Sequence, residues 1–368
     1  MGVSKDLKGF YQEAKREYNH LHSELPYRTF DADHGLFHNR KGVGFGFKLS
    51  VLAGANDDMV EAFNRLIMDL PAGHKWDYHV SMMGHNRVSH LIKQNAALKS
   101  ARTGICSELA KQEADYANFA AHHGFFHRQK HYFDIKDYTA WLFVSSTDDV
   151  DQVLDCKEAL TTSLSQIGLE LTPLMPEGLI NYVEGILNFD PTQTAPRESE
   201  YAPEALLYKQ TLSPDTEFLT RRHYTDVRFS NHQHQTVNSR IIALGLRSTP
   251  RTFRLYALPD CFASLKSVAK NVQCPHLMTL NFRHQESGSF ATKNGGRIGE
   301  LEKTLKSPMA FFFPQAKKEQ AEREQIRDEM SDGINSMAYM HLTLTLFTNK
   351  KSERLHRTTA INAFRSGG

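Results

Sequence analysis

Apolar residues alternate with glycine and polar residues over residues 43–51, and this period of two predicts a β-strand with one buried face. The opposite face carries Gly44 and Gly46, so we expect another side chain or backbone segment to pack closely against it. A helix is predicted to begin after Asn56, whose side chain can cap it, and its first turn is acidic, which suits the helix dipole. The apolar stripe of this helix consists of Met59, Phe63, Leu66, Ile67 and Leu70.

The segments that follow complete a first α+β unit, which is predicted over residues 25–190 after an N-terminal helix at residues 1–24. A helical insertion at about residues 86–122 separates the second strand of this unit from the third. Without that insertion the order is β-α-β-β-α-β, which is the order of the ferredoxin-like split βαβ unit. The further strands are predicted at residues 76–82, 138–145 and 169–174, and the further helices at 148–167 and 176–187.

A polar connector at residues 191–239 contains several prolines and is predicted to be an irregular linker or a partner-binding arm. After it, the same order of elements is predicted to recur over residues 240–368. By analogy with the first unit, a closing strand would come next, so the second unit is predicted to be truncated and the chain to be the front part of a larger protein. The recurring elements are strands at 240–247, 252–258, 277–284 and 339–347, helices near 262–269 and 351–365, and a helical insertion at about 296–330.

The later half of the second insertion, residues 315–330, is highly charged, with nine charged residues among 16. Such a run is typical of a solvated helix surface, and it also fits an exposed arm that contacts a partner. The first insertion places four large apolar residues near one helix face. These residues are Ile105, Leu109, Tyr116 and Phe119.

The composition is that of an ordinary globular protein, with 40% hydrophobic and 23% charged residues among 368. A net charge of +2 gives no general attraction to nucleic acid or anionic lipid. No apolar run approaches the roughly 20 residues that a membrane helix needs, and the polar N-terminus does not resemble a signal peptide. The cysteines are isolated, which is typical of thiols in a reducing compartment, so a cytoplasmic protein is predicted. They are Cys106, Cys156, Cys261 and Cys274.

No catalytic, cofactor-binding or metal-binding residue is predicted. The chain has no Gly-Lys pair and therefore no P-loop. The glycines of residues 42–46 lie at the start of a strand rather than between a strand and a helix, so strand glycines are predicted instead of a dinucleotide fingerprint. Four histidines cluster around Gly124, without carboxylates or cysteines at metal-site spacing, and only adventitious zinc binding is expected there. These histidines are His122, His123, His127 and His131.

Two other function classes stay open as alternatives. The motifs His79-Val-Ser81 and His341-Leu-Thr343 resemble those of 2H phosphoesterases, in which paired histidines act as acid and base on a cyclic phosphate. They fall on the second strand of one unit and the third strand of the other, which are not equivalent. A single-stranded nucleic-acid-binding module is the other alternative, since split βαβ units often carry RNA on the sheet. The one basic and aromatic cluster in the sequence is at residues 125–130.

The order and spacing of several structural motifs resemble the N-terminal domain of TraC, the family of conjugation ATPases of F-type type IV secretion systems. The resemblance covers most of the chain, from about residue 25 to the end. It is carried by structural rather than catalytic motifs. These motifs are Leu25-Pro26-Tyr27, Gly35-Leu36-Phe37, Gly44-Phe45, Gly54-Ala55-Asn56, Leu244-Gly245-Leu246-Arg247, Phe312-Phe313-Pro314 and the segment AINAFRSGG at 360–368.

The resemblance implies a protein of two parts, an N-terminal α+β docking domain and a C-terminal RecA-like motor. ATP and Mg²⁺ would bind in the motor, which this chain does not contain, so the chain is expected not to be an enzyme by itself. The implied partners are inner-membrane subunits of the secretion channel, the ATPase domain of the same protein and further copies of itself, with no direct nucleic-acid contact. The implied location is the cytoplasmic face of the bacterial inner membrane, in conjugative DNA transfer and pilus assembly.

Overall fold

The computed structural model describes residues 21–51, 56–101, 104–126, 132–133, 135–193, 195, 198–246, 272–331 and 337–367. In the first half of the chain the helices are α1 (Leu21–Glu24), α2 (Asp57–Asp69), α3 (Ser89–Ser100), α4 (Ile105–His123), α5 (Val150–Gln166) and α6 (Pro176–Leu187). The strands of this half are β1 (Tyr27–Asp31), β2 (Leu36–Asn39), β3 (Val43–Leu49), β4 (Trp76–His85), β5 (Phe125–Phe126), β6 (Tyr132–Phe133), β7 (Asp137–Ser146) and β8 (Leu171–Pro173).

The second half of the chain contributes five further strands and three further α-helices to the described residues. The strands are β9 (Glu217–Thr220), β10 (Thr225–Ser230), β11 (Thr236–Gly245), β12 (His276–His284) and β13 (Ala338–Thr348). The helices are α7 (Ser287–Lys306), α8 (Pro314–Ser331) and α9 (Glu353–Gly367). Short 3₁₀ turns occur at Leu207–Gln210 and Pro308–Phe312.

Eleven of these strands form one continuous sheet, in which every described pair is antiparallel. The order across the sheet is β1-β2-β3-β7-β4-β12-β13-β11-β10-β9, and β8 pairs with the end of β3. The two halves of the chain meet where β4 pairs with β12 over seven residue pairs. The predicted α+β class is confirmed, with an antiparallel sheet and helices packed on it.

The strand pair β4–β7 in the first half of the sheet and the strand pair β12–β13 in the second half have the same register. Val80 of β4 pairs with Leu142 of β7, and Leu280 of β12 pairs with Leu342 of β13, so that both partners are displaced by 200 residues (80 to 280 and 142 to 342). Val80 and Leu280 also pair with each other at the join. The pairing of β4 with β7 and that of β12 with β13 are therefore related by a local two-fold axis at the join.

One face of the sheet carries the main core, because alternate residues of each strand point to the same side. In the first half, β3, β4 and β7 pack against α2 and α5. In the second half, β11 and β13 pack against α9. Phe45 and Phe47 are at the centre of the first cluster, where Phe47 is only 1% exposed.

The opposite face of the sheet is covered in its first half by α6, which packs on Trp141 and Phe143. The close packing predicted at the glycines of β3 is present there, since a Cβ on Gly46 would lie 3.0 Å from a Leu174 methyl carbon and 3.1 Å from the Phe143 ring. Both Gly44 and Gly46 are buried within this chain.

A buried arginine joins the outer strands of the second half to the last helix. Arg240 of β11 donates from Nε and Nη2 to both carboxylate oxygens of Asp226 on β10, at 2.6 and 3.0 Å. Its Nη1 donates to Glu353 of α9 at 3.1 Å, and its guanidinium lies 3.5 Å from the centre of the Tyr224 ring. Hydrogen bonding to Asp226 raises the pKa of Arg240. The buried guanidinium charge of Arg240 is therefore compensated by a neighbouring carboxylate.

Most predicted elements are found close to their predicted positions. Asn56 caps α2 as expected, because its side-chain oxygen accepts a hydrogen bond from the backbone N–H of Met59 at 2.9 Å. The predicted helix at 176–187 matches α6, and the strand at 277–284 matches β12. The strand predicted at 252–258, the helix near 262–269 and residues 1–20 of the N-terminal helix lie outside the described residues.

The expectation of an irregular segment at residues 191–239 is wrong, because this segment contains β9, β10 and the start of β11. These strands extend the sheet, and Val227 and Phe229 of β10 form a small core of their own with Val237. Leu207, in the 3₁₀ turn of the same segment, packs under α6 and is fully buried. The segment therefore forms part of the folded body. The division of the chain at 190 and 240 stays a prediction.

We expect Phe47→Asp to abolish the folded state, because it places an unpaired carboxylate in the main core, and such a change costs several kcal/mol against a total stability of about 5–15 kcal/mol. The neighbouring Lys48 is exposed on the other side of the strand, so Lys48→Asp is the matched control and should unfold like the parent protein. Urea unfolding followed by circular dichroism measures both, and a Phe47→Asp protein with the parent midpoint would contradict this core assignment.

Stability should fall in mild acid because of His276, which is fully buried. Burial lowers the pKa of His276 to about 3, while an unfolded histidine titrates near pH 6.5. Between these two pH values the unfolded state binds a proton at His276 and the folded state does not. The free energy of unfolding therefore decreases as the pH falls from about 6.5 towards about 3.

His276→Gln should reduce the loss of stability between pH 7 and pH 5, as measured by the urea midpoint at each pH. The exposed His223→Gln is the control and should keep the parent pH dependence. An unchanged pH dependence in His276→Gln would mean that other groups cause the acid sensitivity.

Candidate functional site

The two histidines of the phosphoesterase alternative lie on the same face of the sheet. His79 on β4 and His341 on β13 are both register partners of Asn281, on the strand between them. Two strand spacings place their Cα atoms about 10 Å apart. Together with Phe143 and Tyr182 they line a cavity of about 650 Å³ at the edge of α6.

Both ring nitrogens of His79 are engaged within this chain. Nδ1 lies 2.5 Å from Asn281 Oδ1, and Nε2 lies 3.1 Å from the Tyr182 hydroxyl. The Tyr182 hydroxyl is also 3.1 Å from Ser81 Oγ, which is fully buried. Burial lowers the pKa of His79, and the hydrogen bond to Asn281 offsets this only in part. His79 is therefore a neutral imidazole at pH 7, held in a network that fixes α6 on the sheet.

His341 differs from His79 in environment and in position within the repeat. It is exposed, and its Nδ1 lies 3.3 Å from Thr343 Oγ1. The 200-residue displacement relates His341 to Trp141 and His79 to Thr279. The two histidines thus share a cavity without being equivalent, which follows the strand assignment predicted from the sequence.

The first insertion is a hairpin of α3 and α4, closed by an ion pair between Lys99 and Glu113 at 2.7 Å. It exposes large apolar side chains instead of burying them, among them Leu98, which is 78% exposed. The four residues predicted to share a helix face are all exposed too. They are Ile105, Leu109, Tyr116 and Phe119.

The second insertion is a hairpin of α7 and α8 with a well-anchored base. The buried Asn294 of α7 donates to the backbone oxygen of Arg323 at 3.0 Å, and Glu319 accepts from Arg297 and Arg323 at 3.1 and 3.0 Å. Arg323 also donates to Asn294 Oδ1 at 3.1 Å. One side of the charged helix α8 therefore packs on α7, and the rest of it faces solvent.

At the end of this hairpin, three adjacent phenylalanines are exposed. Phe311, Phe312 and Phe313 are 88%, 70% and 51% exposed. Residues 303–318, which we name the phenylalanine tip, contain four lysines and no acidic residue. These lysines are Lys303, Lys306, Lys317 and Lys318. A large apolar surface with a basic border is the pattern of an interaction site on a protein surface.

The two hairpins leave the sheet at opposite ends. The first follows the end of β4 at His85, and the second follows the end of β12 at His284. Because β4 and β12 are antiparallel neighbours, these two exits lie at opposite edges of the central ladder. The glycine-lined face of β3 is covered by the chain itself and offers no exposed surface to a partner.

The histidine cluster, the basic and aromatic cluster and the cysteines are each described only in part. No group of three or more His, Cys, Asp or Glu side chains is placed there to hold a metal ion. The ring of His123 lies tilted against that of Phe119, with the ring centres 4.6 Å apart. His127, His131 and residues 127–130 of the basic and aromatic cluster lie outside the described ranges. Cys106, Cys156 and Cys274 form no disulfide among the described residues, and Cys261 is not described. None of the helices in the described ranges is both long and apolar enough to cross a membrane.

One buried polar residue, Arg87, is not indicated by any pattern in the sequence. Arg87 is 7% exposed and lines a second cavity, of about 730 Å³, between the sheet and α6. In the sequence it stands in Asn-Arg-Val at the predicted start of the first insertion, where a polar residue is ordinarily solvated. Its burial depends on Phe189 and on the segment after α6, which are distant in sequence and give no local signal.

Comparison with known proteins agrees with the motifs described above. The sequence model of the family described as "TraC protein" matches residues 21–368. Protein TraC of Escherichia coli (strain K12) is 21% identical over 353 residues. This match covers 94% of the present chain and 40% of that protein, so the chain spans well under half the length of this relative. The family match extends over nearly the whole chain, and the chain therefore belongs to the TraC protein family.

Proposed function

We propose that this chain is a non-catalytic docking and assembly unit of a type IV secretion ATPase, which connects the motor to inner-membrane subunits of the channel. Membership of the TraC protein family makes it a protein of conjugation and type IV secretion. The finer role is inferred from its exposed apolar surfaces and from the engagement of its candidate catalytic groups. Its proposed place is the cytoplasmic face of the inner membrane, in contact with further copies of the same protein.

The phenylalanine tip is the observation that carries this proposal. Three neighbouring aromatic side chains exposed to water are unfavourable in a free protein, and aromatic residues are enriched in the buried centres of interfaces. The tip is held by the ion pairs and the buried Asn294 at the base of the α7–α8 hairpin, so it is presented on a stable support. Of its four lysines, Lys306 and Lys318 form ion pairs with the flanking Glu302 and Glu322 at 3.7 Å each. The other two, Lys303 and Lys317, suit a partner with an acidic surface.

The arrangement of strands supports a scaffold built from two split βαβ units. In the first half, the strands adjacent in space are β8, β3, β7 and β4, all antiparallel, and α2 and α5 follow β3 and β7 in the chain. The second half shares the order of its three corresponding strands, β11, β13 and β12. Each helical hairpin then enters at the same point of its unit, between the second and third strands. A repeated, rigid core with variable insertions is a common way to carry binding surfaces.

The absence of catalysis in this chain is part of the proposal. The sequence has no Gly-Lys pair, and ATP and Mg²⁺ are assigned to a motor domain beyond this chain. His79, the better-placed base of the phosphoesterase alternative, has neither ring nitrogen free for a substrate. On the same face, Arg283 of β12 donates to Asp77 of β4 at 2.6 Å, which neutralises a cation that a nucleic-acid surface would use.

Replacing Phe311, Phe312 and Phe313 together by Ser should reduce binding of the TraC protein to its membrane complex by at least tenfold. These side chains are exposed, so the free energy of unfolding should stay close to that of the parent. The measurement is co-purification of the full-length protein with the detergent-solubilised channel subunits. Leu219→Ser with Leu355→Ser, which lie away from both hairpins and are 52% and 59% exposed, is the matched control for loss of exposed apolar surface. Full binding by the triple variant would refute a docking role for this tip.

The purified chain should hydrolyse neither ATP nor a 2′,3′-cyclic nucleotide above the rate of the buffer, and His79→Ala should leave both rates unchanged. The phosphoesterase alternative instead requires cyclic-phosphate hydrolysis that His79→Ala and His341→Ala each abolish.

Binding to single-stranded DNA should be weak and should not show the steep salt dependence of a phosphate-binding surface. Fluorescence anisotropy with a labelled oligonucleotide at low and high salt measures this. Tight binding that falls strongly with salt would favour the nucleic-acid alternative.

A further inference from the structure

The last part of β11 has an open backbone edge. β10 pairs with β11 only as far as Ile241, whereas β11 continues to Gly245. Beyond Ile241 the only partner of β11 among the described strands is β13, on its other side. Leu246 donates its backbone N–H to the Leu342 oxygen, towards β13, at 3.1 Å. Because alternate residues of an antiparallel strand bond to opposite sides, the backbone groups of Ala243 and Gly245 point to the open edge.

The first half of the chain shows what occupies the corresponding edge there. Gly46 of β3 pairs with Phe143 of β7, and Gly245 of β11 pairs with Thr343 of β13, which is displaced from Phe143 by 200 residues (143 to 343). The two glycines therefore have the same place in the two strand pairs. The Gly46 oxygen accepts a hydrogen bond from the N–H of Leu174, directly after β8, at 2.8 Å. β8 thus fills beside β3 the place that is open beside β11.

The space above the two glycines differs in the same way. A Cβ on Gly46 would lie 3.0 Å from Leu174 Cδ2 and 3.1 Å from the Phe143 ring. Within the described part of the chain, a Cβ on Gly245 would meet nothing closer than His341 Nε2 at 3.9 Å. Gly46 is buried and Gly245 is exposed. A glycine inside a strand is typical of a place where another segment approaches closely, and the described residues supply no such segment at Gly245.

The open edge is apolar as well as unpaired. Leu246 is 43% exposed, whereas Phe47, which follows Gly46 as Leu246 follows Gly245, is 1% exposed. A strand edge with unpaired N–H and C=O groups beside an exposed apolar side chain is a template for a further strand.

The path of the chain indicates which segment reaches this edge. In the first half, α5 packs on β3 and β7, ends at Gln166, and is followed by β8 from Leu171 onwards. In the second half, α9 packs on β11 and β13 and ends at Gly367. A connection of the same length would place the next strand just after residue 368. Protein TraC of Escherichia coli contains a long stretch outside the part that matches this chain, since the match covers 40% of it.

We propose that, in the full-length protein, the segment directly after residue 368 forms a short strand that pairs antiparallel with β11 at Ala243 and Gly245. A large apolar side chain at the end of this strand lies over Gly245, as Leu174 lies over Gly46. The inference rests on the proposed function, in which this chain is one part of a longer secretion ATPase. The polypeptide that leads towards the motor is then held by the sheet and does not leave α9 as a free linker.

The test compares the chain that ends at residue 368 with the full-length protein by hydrogen exchange and mass spectrometry. Peptides that contain Ala243 and Gly245 should exchange at least tenfold more slowly in the full-length protein, because paired amides are protected. β9, which is the last strand of the described sheet, is the internal control and should exchange equally fast in both proteins.

Three results of this comparison would overturn the proposal. The first is equal exchange of Ala243 and Gly245 in the two proteins. The second is a gene that ends at residue 368. The third is protection in the shorter chain that rises with its concentration, which would assign the edge to a second copy.

A variant separates strand pairing from general shielding by the motor. Gly245→Val has space in the shorter chain, so its urea midpoint should equal that of the parent. In the full-length protein the valine occupies the place of the overlying side chain, and the protection of Ala243 should fall at least fivefold. Asn238→Val, exposed on the same strand where β10 already pairs, is the matched control and should keep full protection. Full protection in Gly245→Val would contradict the contact over this glycine.

Co-purification with the membrane subunits is an independent measurement on the same full-length protein. Docking without protection of Ala243 and Gly245 overturns this inference and leaves the proposed docking role intact. Protection without docking has the opposite meaning, since it supports the added strand and contradicts the docking role.

Discussion

The antiparallel pairing of β4 with β12 is the interaction on which the rest of the molecule depends. It joins two halves of similar build into one sheet, and it buries the central strand edges that each half would otherwise expose. It also determines which side chains become neighbours on the uncovered part of the sheet, because His79 meets Asn281 only through this ladder. The directions of the two helical hairpins follow from it as well.

The first long strand and the start of the helix after it could be predicted from the sequence because their signals are local. Alternation at residues 43–51 and the cap at Asn56 depend on neighbouring residues, and both are found as expected. The segment after α6 was misjudged for the opposite reason. Its prolines suggest an irregular linker, whereas β10 is stabilised by β11 and by burial of Phe229, which are contacts that depend on the tertiary fold.

The candidate sites also depend on tertiary contacts that the local sequence does not show. The sequence places His79 and His341 on different strands with a long connector between them, and it does not show that both lie opposite Asn281. The hydrogen bond between His79 and Tyr182 is not indicated either, since 103 residues separate them. The sequence also does not predict that Phe311–Phe313 are exposed, because a run of phenylalanines ordinarily indicates a core segment. Arg87 is buried by residues from α6 and the loop after it, and a single arginine at the end of a strand gives no sign of this.

One face of β3 is covered by α6 and Leu174, so the exposed apolar side chains of the two helical hairpins lie at the periphery of the sheet. The hairpins begin at the two ends of β4 and β12, and a strand of ten residues spans about 33 Å. In the docking role proposed above, partners bound at the two hairpins would be held apart by the length of this ladder.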